Sequence, residues 1–185
     1  MSKGIVLDPT VGGVKSSLSN DRPHASFGLG SLRGRVLGIR GDELWRSWDW
    51  VVNEWRSALE SEGARVVFWR SAGNRAGKEA ERVDRELQAF LDEVDVVVSG
   101  LANCGSCTMW TVHDALAGAD RGMPAVAVAT EQFRGLAQAL TARGGHPDLP
   151  LQILPYPLET QDEPDVRVVA RSAYADLLGT LGVAR

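Results

Sequence analysis

Five short apolar runs, each followed by a stretch with helical periodicity, constrain this chain more than any other feature. Residues 35–40, 65–69, 94–99, 124–129 and 151–154 read as strands, rich in Val, Ile and Leu and bounded by turn residues. Helical patterns fill 43–62, 78–93, 108–119, 131–143 and 165–181. In the first helix Trp45, Trp48, Val52, Trp55 and Leu59 recur at spacings of three and four and give one apolar face, with Trp50 off it. Asp42 is the expected N-cap of that helix and Gly63 its C-cap. Short apolar strands alternating with helices form a parallel sheet covered on both faces. Right-handed crossovers leave few topologies, and the default expectation for five strands is a flavodoxin-like α/β sandwich of three layers, its parallel sheet in the order 2-1-3-4-5. Such sheets bind ligands at the carboxyl ends of their strands.

Residues 1–34 differ in character. Gly, Ser, Asn and Pro crowd them, and they are expected to form an extended N-terminal arm, with a short strand at 5–7, ahead of a single domain over 35–185. With 185 residues the chain suits one core of that size. The net charge of −4, with no long basic block, argues against a nucleic-acid-binding face and a polybasic membrane patch. No apolar run is long enough to span a bilayer, and the first residues do not read as a secretory signal, so a cytoplasmic location is expected. The glycine-rich stretch at 27–34 precedes a strand rather than joining a strand to a helix, so it is not read as a phosphate loop.

The two cysteines of the chain, Cys104 and Cys107, stand at C-x-x-C spacing between the third strand and third helix. With Asn103 or Cys104 at the N-cap, the Cys104 sulfur faces the unpaired N–H groups of the first turn. Such surroundings lower a thiol pKa from ~8.5 into the range ~3.5–7.5. Cys107 is then placed to close a disulfide with Cys104 or to resolve a mixed one. The competing readings are two small buried core residues and, less well supported, a zinc site. One C-x-x-C supplies two ligands, and His24, His113 and His146 lack finger spacing, so no metal is expected.

Cys107, Trp110, Thr111 and Asp114 share a helix face. Asp114 is two turns from the sulfurs and is expected to tie a neighbouring loop or backbone N–H. His113 is either a general acid–base or a packed residue at the solvent edge. Candidate substrate-binding groups at the same edge are Arg40, Ser106, Thr130, Glu131 and Tyr156. The alternatives are a plain surface arginine at Arg40 and helix capping by Thr130 or Glu131.

The run Gly100-Leu101-Ala102-Asn103-Cys104-Gly105-Ser106-Cys107-Thr108-Met109-Trp110-Thr111-Val112-His113-Asp114 resembles the signature of the UGSC family of (seleno)proteins. The resemblance continues through Gly122-Met123-Pro124, Thr130-Glu131-Gln132-Phe133, Pro147-Asp148-Leu149-Pro150 and Pro155-Tyr156-Pro157, and includes Leu7-Asp8-Pro9-Thr10. Family members carry selenocysteine or cysteine at the first position of the tetrad. The resemblance therefore implies that Cys104 is the reactive atom and Cys107 its resolving partner, and it adds weight to His113 and Asp114. A distant similarity to the selenoprotein B subunits of glycine and betaine reductases implies reductive bond cleavage.

Three readings of function follow. In the first, Cys104 attacks a small electrophilic substrate and Cys107 resolves the adduct, with an external thiol reductant, such as a reductant protein, and no bound cofactor. In the second, Cys104 is the nucleophile of a non-redox lyase, hydrolase or isomerase acting on a small organic acid, with Cys107, His113 or Asp114 handling protons. In the third, the chain is a redox-sensing or carrier module. A homo-oligomer is compatible with an exposed Trp50.

Overall fold

The computed structural model describes residues 27–71 and 75–183. The expected strand at 5–7 and most of the arm lie outside them. The element order is β1 (Val36–Asp42), α1 (Arg46–Ser61), β2 (Arg65–Ser71), α2 (Lys78–Asp92), β3 (Val96–Ala102), α3 (Gly105–Asp120), β4 (Ala125–Thr130), α4 (Arg134–Arg143), β5 (Leu151–Leu154) and α5 (Glu163–Leu181). The strands pair in parallel in the order β2-β1-β3-β4-β5, the flavodoxin-like arrangement expected from the sequence.

Alternation along the strands sends two different side-chain sets to the two faces. Leu37, Ile39, Val96, Val98, Val126 and Val128 pack against Trp48, Trp55 and Leu59 of α1 and Val166, Ala170 and Leu177 of α5. The other face carries Val97, Ala125, Ala127 and Ala129 against α2, α3 and α4. Its alanines keep that layer thin, so α3 approaches closely: a Cβ on Gly118 would stand 3.2 Å from the Val97 side chain. At the far end of the described chain, Gly30 bridges Val183 and Leu32 is buried, which fastens the end of the arm to the C-terminus of α5.

Several boundaries differ from the sequence expectation. β1 runs on through Asp42, so this residue does not cap α1. Its Oδ1 accepts from the Leu44 N–H (3.0 Å), and Trp45 holds the N-cap position without a side-chain bond. The donors at Ser47 in the first turn of α1 are met instead by Glu159, whose Oε2 accepts from the Ser47 backbone N–H (3.1 Å) and hydroxyl (2.6 Å). β3 extends to Ala102, with a register shift against β4 between Ser99 and Ala102. Residues Glu131–Phe133 form a 3-10 turn ahead of α4 rather than its first turn. Trp50 is half-buried, packed against the core with the Arg46 guanidinium 5.2 Å above its ring.

Candidate active site

At the carboxyl edge of the sheet, β3 ends and α3 begins at Cys104. Its extended backbone (φ −154°, ψ 172°) makes it the N-cap, and its Sγ accepts from the Cys107 N–H at 3.1 Å. A sulfur in this position takes up one of the donors that a helix start leaves unpaired and sits at the positive end of the helix dipole. The two cysteines form a disulfide, with Cα atoms 5.1 Å apart. They are unequally exposed: Cys104 is half-buried, whereas Cys107 retains only 2% exposure.

The turn that carries Cys104 is braced from several elements. A Cβ on Gly100 would collide with the Trp48 ring, which also lies against the bare backbone of Gly41 and donates its Nε1–H to the Arg40 carbonyl (3.3 Å). Arg40 Nη1 donates to the Gly100 carbonyl (3.0 Å). On the other side the Thr130 hydroxyl, at the end of β4, donates to Asn103 Oδ1 (3.0 Å). Within the turn the Thr108 hydroxyl donates to the Cys104 carbonyl (2.5 Å), and Ser106 Oγ lies 3.5 Å from Cys104 Sγ.

A second group of polar residues lies under α3, deeper than the disulfide. Asp114 is fully buried and accepts from Arg75 Nη1 (2.7 Å) and Nη2 (2.5 Å), while Arg40 Nε stands 2.6 Å from its Oδ2. His113 Nδ1 lies 3.0 Å from Asp114 Oδ1, with its ring half exposed. Burial alone would raise the Asp114 carboxyl. The hydrogen bonds from Arg75 and His113 and the charges of both arginines outweigh it and hold the group at about 2. Burial also pushes the Arg40 guanidinium down, against the pull of Asp114, and raises Asp42, which lies 3.8 Å from Arg40. Arg75 is fixed further by Ser71 Oγ (2.6 Å) and by the Trp110 ring 4.7 Å from its guanidinium.

The structure thus brings together Cys104, Cys107 and Ser106, with Thr130 joined to them through Asn103. It separates these from His113 and Asp114. The six helical steps from Cys107 to His113 amount to ~9 Å along the axis and leave the two side chains about a third of a turn apart around it, so the imidazole is out of hydrogen-bonding reach of either sulfur. Arg40 is neither a surface arginine nor free for a substrate carboxylate, because it serves Asp114 and Gly100. Glu131 is exposed and paired with Arg134 (2.7 Å). Tyr156 is half exposed at the same edge of the sheet, its ring 6.2 Å from that of Phe133.

Asp114 does tie a neighbouring loop, as its helix position suggested, and the partner is a residue that sequence reasoning missed. Arg75 lies 39 positions from Asp114, and no local pattern marks it. The available signal was Asp114 itself: a carboxylate on the sheet-facing side of a helix requires a buried cation opposite it. Among the described residues, no group of three or more His, Cys, Asp or Glu side chains is placed to hold a metal ion, and no helix is long and apolar enough to cross a membrane.

The sequence model of the UGSC family matches residues 5–183. The chain belongs to the UGSC family. Among curated proteins none matches this UGSC chain in sequence. Among solved structures it is similar to two mutants of a flavo di-iron protein from Thermotoga maritima, at 11% identity with TM-scores of 0.46 and 0.47, covering 80% of this chain and 37% of theirs. It is also similar to a LacI family transcriptional regulator from Bifidobacterium animalis subsp. lactis, at 12% identity and TM-score 0.36, covering 80% of this chain and 73% of that one. The UGSC chain therefore spans little more than a third of the flavo di-iron proteins.

Proposed function

We propose that this UGSC protein is a dithiol–disulfide oxidoreductase that reduces, or reductively cleaves, a small electrophilic substrate. The observation that carries the reading is the inequality of the two sulfurs: Cys104 is the half-exposed N-cap of α3, and Cys107 is buried behind it, 3.1 Å from backbone N–H to Cys104 Sγ. In the reduced protein the Cys104 thiolate is stabilised by that N–H and by the helix dipole. It displaces a leaving group X from a substrate R–X and forms Cys104–S–R. The Cys107 thiolate then attacks Cys104 Sγ. The disulfide forms, and R departs with the electron pair of its bond to sulfur and takes up a proton. Two electrons and two protons from an external thiol, small or protein-borne, restore the dithiol.

The non-redox reading needs Cys107, His113 or Asp114 to handle protons for Cys104; His113 and Asp114 stand about two turns along α3, which leaves Cys107 as the group beside it. The test uses protein reduced with dithiothreitol and labelled with limiting iodoacetamide at neutral pH. Peptide masses should place the label on Cys104 well ahead of Cys107. With a substrate present, the Cys107→Ser variant should accumulate a Cys104 adduct, whereas the unaltered protein consumes reductant. Inert Cys104 in the reduced, folded protein overturns the proposal, and so does turnover by Cys107→Ser without reductant.

A further inference from the structure

The polar group under α3 has a chemistry of its own that the thiol reaction does not use. Asp114 is ionised throughout the neutral range, so its oxygens only accept hydrogen bonds. The 3.0 Å contact between His113 Nδ1 and Asp114 Oδ1 therefore requires the proton on Nδ1. A free neutral imidazole divides its proton between two nitrogens. In neutral His113 the carboxylate assigns it to Nδ1 and leaves the lone pair on Nε2, in a ring half open to solvent. The carboxylate cannot rotate away, because Arg75 holds both of its oxygens and Arg40 pairs with one of them. Trp110 adds an apolar wall: its ring meets the imidazole edge-on at 5.8 Å and carries the Arg75 guanidinium on its face.

The geometry points to a second reactive station on α3, independent of the thiols, in which His113 Nε2 takes a proton from a small organic substrate bearing an acidic O–H, N–H or activated C–H beside Trp110. Asp114 and Arg75 are positioning residues that keep the lone pair outward. The proton on Nε2 turns the ring into an imidazolium, whose charge the adjacent carboxylate balances. It is later returned to the product or to water. No electron donor takes part.

The protein contains its own control. His146 meets a carboxylate with the opposite nitrogen, Nε2 to Asp120 Oδ1 at 2.7 Å. Two-bond proton–nitrogen spectra of uniformly 15N-labelled protein, with His24→Gln to remove the third histidine, should show the Nδ1–H tautomer at His113 and the Nε2–H tautomer at His146. Diethyl pyrocarbonate then probes the lone pair: Nε2 attacks a carbonyl carbon, ethyl carbonate leaves, and the ring is ethoxycarbonylated. Labelling of His113 should be several-fold faster than that of His146. Arg75→Met should slow it and mix the tautomers, Arg75→Lys should restore part of the rate, and Asp114→Asn should abolish the preference. A Cys104→Ser, Cys107→Ser double variant should change none of these readings, which separates this inference from the redox proposal. An Nε2–H tautomer at His113 in the unaltered protein overturns it, even if Asp114→Asn fails to fold, and so does labelling no faster than at His146.

Discussion

Asp114 concentrates more of the site's energetics than any sulfur does. It is a fully buried carboxylate that holds a strand through Arg40, a loop through Arg75 and its own neighbour His113. Removing one member of such a group leaves charge stranded in the interior, which costs ~3–5 kcal/mol. Its acid dependence follows from the sign of its shift. The folded carboxyl titrates at about 2, below its unfolded value near 4. The stabilisation is therefore complete above about pH 4, declines as the pH falls from there, and is gone once the folded carboxyl is protonated. Its size is about 2 kcal/mol. Urea unfolding at a series of pH values should show that loss, and Asp114→Asn should be less stable at neutral pH and lack this component of the acid dependence. An unchanged acid profile in that variant would remove Asp114 from the account.

At the scale of elements, the start of α3 is held by bare backbone as much as by side chains. Trp48 of α1 lies against Gly41 and Gly100, near the ends of β1 and β3. Gly100→Ala puts a methyl group into that ring, and overpacking of this kind costs ~1–3 kcal/mol. Denaturation should register the loss, and because the displaced backbone leads directly to Cys104, alkylation of the reduced protein should change with it. A variant with unaltered stability would mean that the ring moves freely. This explains which elements were legible beforehand. The strands and the tryptophan stripe of α1 obey short-range periodicity and appear in the sequence, whereas the start of α3 is narrowed there only to Asn103 or Cys104 as N-cap, with the helical pattern beginning at 108 rather than at Gly105. The capping of α1 does not appear there: Asp42 has the right residue type one step after an apolar run, but the group that meets Ser47 is Glu159, 112 positions away. Arg75 escaped for the same reason. Pairings across the fold leave no period to read.

For the molecule as a whole, the disulfide is a small part of what holds it together. The ring it closes spans four residues, with a sequence separation of three. Loop-closure entropy for so short a ring is worth about 2 kcal/mol at most. Reduction should therefore lower the melting temperature by only about 4–8 °C and leave the far-ultraviolet circular dichroism unchanged. Unfolding on addition of dithiothreitol would give the bond a scaffolding role incompatible with a turnover cycle. Stability resides instead in the two packed faces of the sheet, one filled by α1 and α5 and the other by α2, α3 and α4.

The bridge between Cys104 and Cys107 joins the N-cap of α3 to its own first turn, two positions whose Cα atoms already stand 5.1 Å apart. It ties no two distant segments of the chain together, so the positions of α1, α2, α4 and α5 rest on packing against the sheet and not on a covalent tether.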